Sequence, residues 1–529
     1  MTIDAVGTLL CWLLFLPLVG IPFIWLLPAR QAKYVALAIG VGVFGFSLFI
    51  FQQYLSLADG PRPDGYVVKA IWRWFGAAAA DGTWLSRYDV KLILGVDGIS
   101  IYLILLTTLL FPLSTWFSFS SVNTHEKGYY ILLLLLQTGV LGTFLSLDLL
   151  LFYVFFELGL IPMYFLIGIW GGKDKIYAAI KFFLYTLAGS VLMLISILYL
   201  GSYVGGKVGT GFTTDLKVIL DYLAANPLAD STQRWLFWGF TFSFLIKVPV
   251  FPLHTWLPAA HVQAPTAGSV ILAGLLLKLG TYGLVRFSLP LFPQTAYAYA
   301  WVLALLGLIG VIYGALAAMV QTDIKKLVAY SSVAHMGFVI MGIFAFTPQG
   351  MSGAVLQMVN HGISTGALFL IVGMVYDRRH TREIADYQGI AKVMPLFTFF
   401  FMLATLSSIG LPGMNGFVGE FLILIGSFGT EAFPRWFTVV ATTGVILAAV
   451  YMLWMFRRVL FGALDKDENR SLTDLTRTEV AILMPLVVLM FWIGISATPW
   501  LDQIGSSSDA VVQWVNEAYR AAQAPVVAR

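Results

Sequence analysis

Apolar residues occur in long runs along almost the whole chain, and short polar segments separate these runs. Runs of about 20 residues match an α-helix that crosses a bilayer, whereas the strands of a membrane barrel alternate in polarity over about 10 residues. The pattern predicts an all-α polytopic membrane protein with about fourteen transmembrane helices. The expected spans lie near 8–28, 34–55, 96–118, 128–146, 148–170, 176–203, 235–259, 266–288, 296–320, 326–346, 352–376, 394–427, 436–460 and 478–499. A short amphipathic surface helix is expected over 505–522.

The composition supports this class of protein. The 529 residues are 59% hydrophobic and 11% charged, against about 25% charged residues in soluble globular proteins. The one cysteine, Cys11, lies in the first apolar run, which excludes disulfides and cysteine-held iron–sulfur clusters within the chain. That first run is too long for the apolar core of a cleavable signal and has no basic segment before it, so we expect it to be the first membrane helix.

Two of the predicted spans contain helix-breaking residues at matching places. The seventh reads FLIKVPVFPLHTWLP and the twelfth reads SSIGLPGMNGFVGEF, so each helix is expected to be interrupted. Interrupted helices in corresponding positions indicate inverted-repeat transporters, although two unrelated proline kinks are an alternative. Five spans separate the breaks, so spans four to eight and nine to thirteen form the expected repeats. The predicted divisions are 1–127 (first three helices), 128–290 (first repeat), 291–460 (second repeat) and 461–529 (last helix and C-terminal segment).

Four charged residues fall in the middle of apolar spans: Glu157, Lys247, Lys278 and Glu420. A charge at bilayer depth costs at least about 2.5–3.5 kcal/mol, so it indicates a function or a partner. The two lysines lie about 15 Å from their helix ends, too far for their side chains to reach the membrane surface. A static ion pair between Glu157 and Lys247 would explain two of the charges. A relay for protons or cations would explain all four.

Histidines form a second group of candidates. His335 and His361 lie in mid-span and His254 follows the first helix break, so all three could pass protons between the lysines. Two mid-membrane histidines could instead hold a haem. His125, His261 and His380 lie at predicted helix ends and are expected to be ordinary surface residues.

Two further charged residues lie near the ends of spans. Lys181 lies about two turns inside its helix, where it could either reach the membrane surface or form an entry branch to the relay. Asp148 directly precedes the fifth span and is expected to cap that helix.

Basic residues in short loops predict the orientation of the chain. Lysines and arginines concentrate in one alternating set of loops, which marks the cytoplasmic side. The basic residues of the other set lie mainly in two long loops, near 56–95 and 204–234. Both termini are therefore expected outside the cytoplasm.

Four segments together are characteristic of a known family: FFELGLIPMYFLIGIWGG, KVPVFPLHTWLPAAHVQAPTAGSVILAGLLLKLGTYGLVR, YSSVAHMGFV and LPGMNGFVGEF. They resemble the antiporter-like subunits of respiratory complex I, and the resemblance extends from about residue 95 to 460. Glu420 favours one branch of the family, because the other branches and the related sodium/proton antiporter subunits generally carry lysine there. An Mrp-type cation/proton antiporter subunit, a subunit of a membrane-bound hydrogenase and a purely structural membrane spacer are the alternatives.

The resemblance implies roles for particular residues. Glu157 and Lys247 would be a coupling pair, and Lys278 the central relay lysine. Glu420 would end the channel, while His335 and His361 would connect the two halves.

The resemblance also implies the setting of the protein. It would move protons in the bacterial cytoplasmic membrane, driven by quinone reduction in other subunits of NADH:quinone oxidoreductase. It would hold no cofactor itself, with NADH, FMN, iron–sulfur clusters and quinone in partner subunits. The expected partners are other membrane-arm subunits, including the L-like and N-like antiporter-like subunits, and lipids, with no nucleic acid.

Overall fold

The computed structural model describes residues 3–57, 68–75 and 88–523, and its helices confirm the predicted helical membrane fold. Within these residues, twelve helices are long and apolar enough to cross a membrane, and the two interrupted passages bring the number of crossings to fourteen. The arrangement of crossings 4–8 and 9–13 as inverted repeats stays a prediction.

The first eight crossings include the first interrupted helix. Their helices are α1 (Ile3–Leu26), α2 (Ala29–Leu57), α3 (Ile101–Ser121), α4 (Glu126–Leu145), α5 (Leu149–Leu158) with α6 (Leu160–Trp170), α7 (Lys175–Val208), α9 (Asp230–Lys247) with α10 (Trp256–Gln263), and α11 (Thr266–Ile271) with α12 (Leu277–Gly283) and α13 (Leu289–Leu291). The short helix α8 (Leu216–Ala225) lies between crossings 6 and 7.

The last six crossings include the second interrupted helix. Their helices are α15 (Ala300–Met319), α16 (Ile324–Phe344), α17 (Pro348–Arg379), α18 (Pro395–Ser408) with α19 (Asn415–Phe428), α20 (Trp436–Leu460) and α22 (Arg477–Ile495). Between or after them lie α14 (Pro293–Ala298), α21 (Asp467–Arg470) and the C-terminal helix α23 (Thr498–Gln523). Helix α23 is longer than the predicted 505–522.

Three short strands lie outside the crossings: β1 (Val68–Phe75), β2 (Tyr88–Val96) and β3 (Phe212–Thr213). β1 pairs antiparallel to β2, and β2 pairs parallel to β3. The expected start of the third span at residue 96 was wrong, because β2 extends to Val96 and α3 begins at Ile101. The remainder of the long loop predicted over 56–95 lies largely outside the described residues.

Both predicted helix interruptions are confirmed. In crossing 7, α9 ends at Lys247 and α10 begins at Trp256, whose indole nitrogen donates to the Ile246 carbonyl across the gap at 2.9 Å. In crossing 12, the six residues between α18 and α19 include Gly410 and Gly413, whose φ angles of 72° and 90° suit glycine. Each break therefore places helix ends inside the membrane layer.

Local sequence also explains smaller features. The Asp148 carboxylate accepts from the backbone N–H groups of Leu150 and Leu151, as its predicted capping role requires. Crossing 5 is irregular at Gly159, shortly before Pro162, which cannot donate to the preceding turn.

The loops divide between two sides of the layer. We call the side that carries Lys173, Lys325 and Arg379 the basic side, and the side that carries α23 the opposite side. Several hydrogen bonds hold helix α23 on the opposite side. Among them, the Trp514 indole donates to the Pro290 carbonyl, and the Asn516 amide donates to the Phe346 carbonyl.

Candidate functional site

Four of the predicted residues form one connected row inside the protein. The Lys278 ammonium lies 2.7 Å from Nδ1 of His361, whose ring centroid is 5.8 Å from that of His335. Nδ1 of His335 lies 2.9 Å from a carboxylate oxygen of Glu420. All four side chains are buried, so crossings 8, 11, 10 and 12 enclose the row. We call Lys278, His361, His335 and Glu420 the central row.

The backbone around Lys278 is adapted to its position. Crossing 8 contains π-helical turns at Leu272–Leu276 and Leu284–Ser288, on either side of the segment that holds Lys278. In the first of these turns the Leu277 N–H bonds to the Leu272 carbonyl, five residues back. The Lys278 ammonium donates to the carbonyl of Ala273 in the same turn. Such turns are frequent at functional sites.

Polar side chains that the sequence analysis did not name surround Glu420. The Gln357 amide donates to the Glu420 carboxylate at 3.2 Å, and the Ser408 hydroxyl lies 3.4 Å from Nε2 of His335. Asn360 donates to the Asn415 carbonyl at 2.7 Å and so connects crossing 11 to the break in crossing 12. Gln357 and Asn360 lie close to His361 in the segment LQMVNHG. Amide side chains inside an apolar span could have identified both residues as site candidates from the sequence.

Glu157 and Lys247 lie near each other but do not form a contact ion pair. No salt bridge within 4.0 Å joins them in the described chain, and neither the Lys247 ammonium nor one Glu157 oxygen has a hydrogen-bond partner there. Each is nevertheless a charge that acts on the other. The Lys247 ammonium lies 4.8 Å from the Phe156 ring centroid, a cation–π contact. The alternative of a closed, static pair is therefore wrong for this structure.

Gly280 in crossing 8 lets crossing 7 pack close to the central row. A Cβ at Gly280 would lie 2.7 Å from the Phe244 carbonyl oxygen and 3.1 Å from the Lys247 Cβ. Because Gly280 follows Lys278 by two residues, the missing side chain lets the end of α9 pack against the helix of the central lysine.

His254 and Lys181 lie outside the central row. His254 is buried in the break of crossing 7, where its ring lies 5.0 Å from that of Tyr313. Lys181 is half-buried on α7 with its ammonium 5.7 Å from the Tyr177 ring centroid. One turn further along α7, the Tyr185 hydroxyl lies 2.9 Å from the hydroxyl of Thr255, the residue after His254, so this part of α7 packs beside the break.

The expectation that His261 is a surface residue was wrong. His261 is 0% exposed, because crossing 7 continues in α10 to Gln263 instead of ending at 259. Its ring stacks on Phe369 at 4.6 Å, and in the described chain neither ring nitrogen has a hydrogen-bond partner. His261 lies three residues before Ala264, whose carbonyl accepts from the Lys325 ammonium, so it lies toward the basic side of crossing 7. His125 and His380 are exposed, as predicted.

A cavity of about 370 Å³ opens on the basic side. Gln263, Lys325, Asp377 and Arg382 are among its polar lining residues. The Lys325 ammonium donates to the Ala264 carbonyl at 2.6 Å, three residues beyond His261. This cavity brings polar surface close to His261.

A buried ion pair was also missed. The Arg286 guanidinium lies 2.5 Å from the carboxylate of Asp97, which also accepts from the Ile99 and Ser100 N–H groups. Arg286 follows Lys278 by eight residues and binds Asp97 beside the first turn of α3. The pair holds the end of crossing 8 in place on the opposite side.

The contacts within the central row join groups that can each hold a proton. In the residues that the structure describes, no three histidine, cysteine or acidic side chains lie close enough to hold a metal ion. Nδ1 of His335 contacts Glu420 and Nδ1 of His361 contacts Lys278, so each histidine faces another group that can hold a proton. The row therefore runs from a lysine through two histidines to a glutamate.

Fold and row together define an ion-translocating membrane protein, and comparison with known proteins identifies the family. Residues 146–448 match the family described as NADH:quinone oxidoreductase/Mrp antiporter, transmembrane. The chain is 46% identical over 496 residues to NADH-quinone oxidoreductase subunit M of Rhodobacter capsulatus, covering 92% of this chain and 91% of that protein. This chain therefore belongs to the NADH:quinone oxidoreductase/Mrp antiporter family.

Solved structures share the fold. A chain of respiratory complex I from Thermus thermophilus superposes with a TM-score of 0.82 at 29% identity, over 96% of this chain and 99% of that chain. A chain of the Mrp complex from Dietzia superposes with a TM-score of 0.78 at 21% identity, over 96% and 99% of the two chains. The second likeness concerns the fold alone.

Proposed function

We propose that this chain carries protons across the membrane as the antiporter-like subunit of an NADH:quinone oxidoreductase that corresponds to subunit M of its relatives. The observation that carries the proposal is the central row. Two contacts under 3 Å and one ring-to-ring approach connect a lysine, two histidines and a glutamate taken from four crossings. Each of these groups can hold and release a proton, which a structural spacer would not require.

In this proposal protons enter from the basic side. The cavity lined by Lys325 and Asp377 leads to buried His261, whose unpartnered nitrogens can accept and donate a proton. His261 would supply Lys278, and the proton would then pass through His361 and His335 to Glu420. Lys181 and His254 would form an additional entry branch next to the break in crossing 7.

Glu157 and Lys247 would couple this transfer to events in neighbouring subunits. Two unit charges about 4 Å apart interact by about 4 kcal/mol at an effective dielectric constant near 20. Closing the gap between Glu157 and Lys247 would stabilise the protonated lysine, and opening it would release that proton toward Lys278. The open arrangement of the pair corresponds to one of these two states.

The partners follow from the same proposal. NADH, FMN, iron–sulfur clusters and quinone would be bound by other subunits, and the L-like and N-like subunits would be neighbours in the membrane arm. The basic side would face the cytoplasm of a bacterium, and both termini would lie on the periplasmic side.

The test replaces Lys278 in the assembled complex, reconstituted into liposomes. Lys278→Met should lower NADH-driven proton translocation by roughly tenfold or more, since a positioned proton-transfer group contributes about 10²-fold or more. Lys392→Met, at an exposed loop position, is the matched control and should translocate protons normally. Normal translocation by an assembled Lys278→Met complex would exclude the proposal. Sodium transport without an electron donor would favour the antiporter alternative.

A further inference from the structure

A second polar cavity, of about 420 Å³, lies on the opposite side under the end of the C-terminal helix. Its lining includes Thr347, Gly429, Glu431, Asn516 and Arg520. We call it the outer cavity. Helix α23 forms one wall, where Asn516 donates to the Phe346 carbonyl.

A stacked aromatic pair also holds this wall in position. The rings of Tyr519 and Tyr297 lie 3.8 Å apart with an interplanar angle of 17°. The wall is therefore built by specific contacts rather than by chance approach of the chain end.

Helix α19 leads from Glu420 to this cavity. Ser427 follows Glu420 by seven residues and so lies on the same helix face. Ser427 is 0% exposed, and its hydroxyl has no hydrogen-bond partner in the described chain. The hydroxyl of Thr438, in the first turn of α20, is likewise buried and unpartnered in the described chain. A buried hydroxyl without a partner costs about 1–3 kcal/mol, so its retention points to a transient ligand.

An apolar turn separates the two polar ends of this route. Ile423 is buried, and it packs closely against Gly342 and Gly353 of crossings 10 and 11. It lies one turn beyond Glu420 and one turn before Ser427. The route is therefore closed at Ile423 in this state, which keeps protons from returning.

We propose that the proton held by Glu420 leaves the protein through the outer cavity, passing the Ser427 hydroxyl, with the Glu431 carboxylate delivering it to water. The species bound transiently at Ser427 is water carrying the proton. No other bond forms or breaks: the proton leaves one carboxyl group and reaches another. This inference rests on the proposed function and adds where the proton exits.

The cavity can be blocked after the protein has folded. Gly429 lines the cavity, and a Cβ there would meet no atom closer than 3.7 Å, so Gly429→Cys should assemble normally in a Cys11→Ser background. Gly206→Cys is the control, since Gly206 is exposed on α7 toward the same side with nothing within 4 Å of its Cβ. Each purified complex is labelled with a charged methanethiosulfonate, checked by mass, and reconstituted beside a labelled Cys11→Ser parent.

Labelled Gly429→Cys should translocate protons roughly tenfold more slowly, and reductant should restore the rate. Labelled Gly206→Cys should behave as the parent does. Failure of Gly429→Cys to label, or normal translocation after labelling, would overturn the inference. If Lys278→Met abolishes translocation in the same assay, the proposed function survives that failure.

Glu431→Gln tests the delivering carboxylate without filling the cavity. It should lower translocation, and Glu431→Asp should restore it. A Glu431→Gln complex that translocates at the parent rate would remove Glu431 from the route.

Discussion

At the scale of single residues, the central row limits how many protons it can hold at once. Lys278 and His361 lie 2.7 Å apart, so two positive charges there would repel each other by about 4 kcal/mol or more in a protein environment. Protonation of one of these two groups therefore discourages protonation of the other. At the other end, Nδ1 of His335 lies 2.9 Å from the Glu420 carboxylate, so a proton can pass directly between these two groups. These two short contacts let a proton move along the row in single steps.

The role of Glu420 can be tested by a graded series of substitutions. If the site needs a group that titrates, Glu420→Lys should retain more NADH-driven proton translocation than Glu420→Ala. Glu420→Gln keeps the shape but cannot hold the proton, so it should behave as the alanine variant does. The quantity to compare among the variants is the ratio of proton translocation to quinone reduction in reconstituted complexes. Equal ratios for lysine and alanine would show that Glu420 has another role.

At the scale of elements, the two helix breaks bring polar backbone and charged side chains to the same depth. Non-helical backbone persists at membrane depth only where protein or a polar cavity surrounds it. In crossing 12, the Ser407 hydroxyl donates to the Asn415 side chain across the break at 2.6 Å. A Cβ at Gly410 would lie 2.8 Å from Oε2 of Glu420. The break therefore also shapes the pocket of the terminal acid.

Two glycines of this break form a matched pair for experiment. Gly410 and Gly413 both have positive φ, so alanine at either should destabilise the subunit by about 1–2 kcal/mol. Only the alanine at 410 would meet the Glu420 carboxylate, because nothing lies within 4 Å of the Cβ position at 413. Gly410→Ala should therefore reduce proton translocation more than Gly413→Ala does at equal amounts of assembled complex. Equal losses would mean that the backbone alone is responsible.

At the scale of the whole molecule, polar cavities on the two sides lie at opposite ends of the buried charges. The cavity near Lys325 is lined by Val262, the residue after His261, and the outer cavity lies beyond Glu420 at the end of α19. The intervening positions are closed by packed side chains, Ile423 among them. Polar access at each end with a closed interior suits controlled proton transfer, because a continuous pore would dissipate the proton gradient across the membrane.

The proposed orientation can be tested by the accessibility of single cysteines in a Cys11→Ser background. Lys392→Cys lies in an exposed loop on the basic side, and Ala510→Cys lies on the exposed face of α23. A membrane-impermeant maleimide should label Ala510→Cys in cells with a permeabilised outer membrane, and Lys392→Cys only after the inner membrane is broken. The reverse pattern would place both termini in the cytoplasm.

The sequence by itself determined the crossings, the two breaks and the depth of the charged residues. These features depend on local properties, namely the length of an apolar run and the inability of proline to continue a helix. Only the tertiary structure decided which side chains meet. Lys278 and His361 are 83 residues apart in the chain, and His335 and Glu420 are 85 apart, so their contacts depend on helix packing. For the same reason the burial of His261 and the open Glu157–Lys247 pair could not be inferred from the sequence.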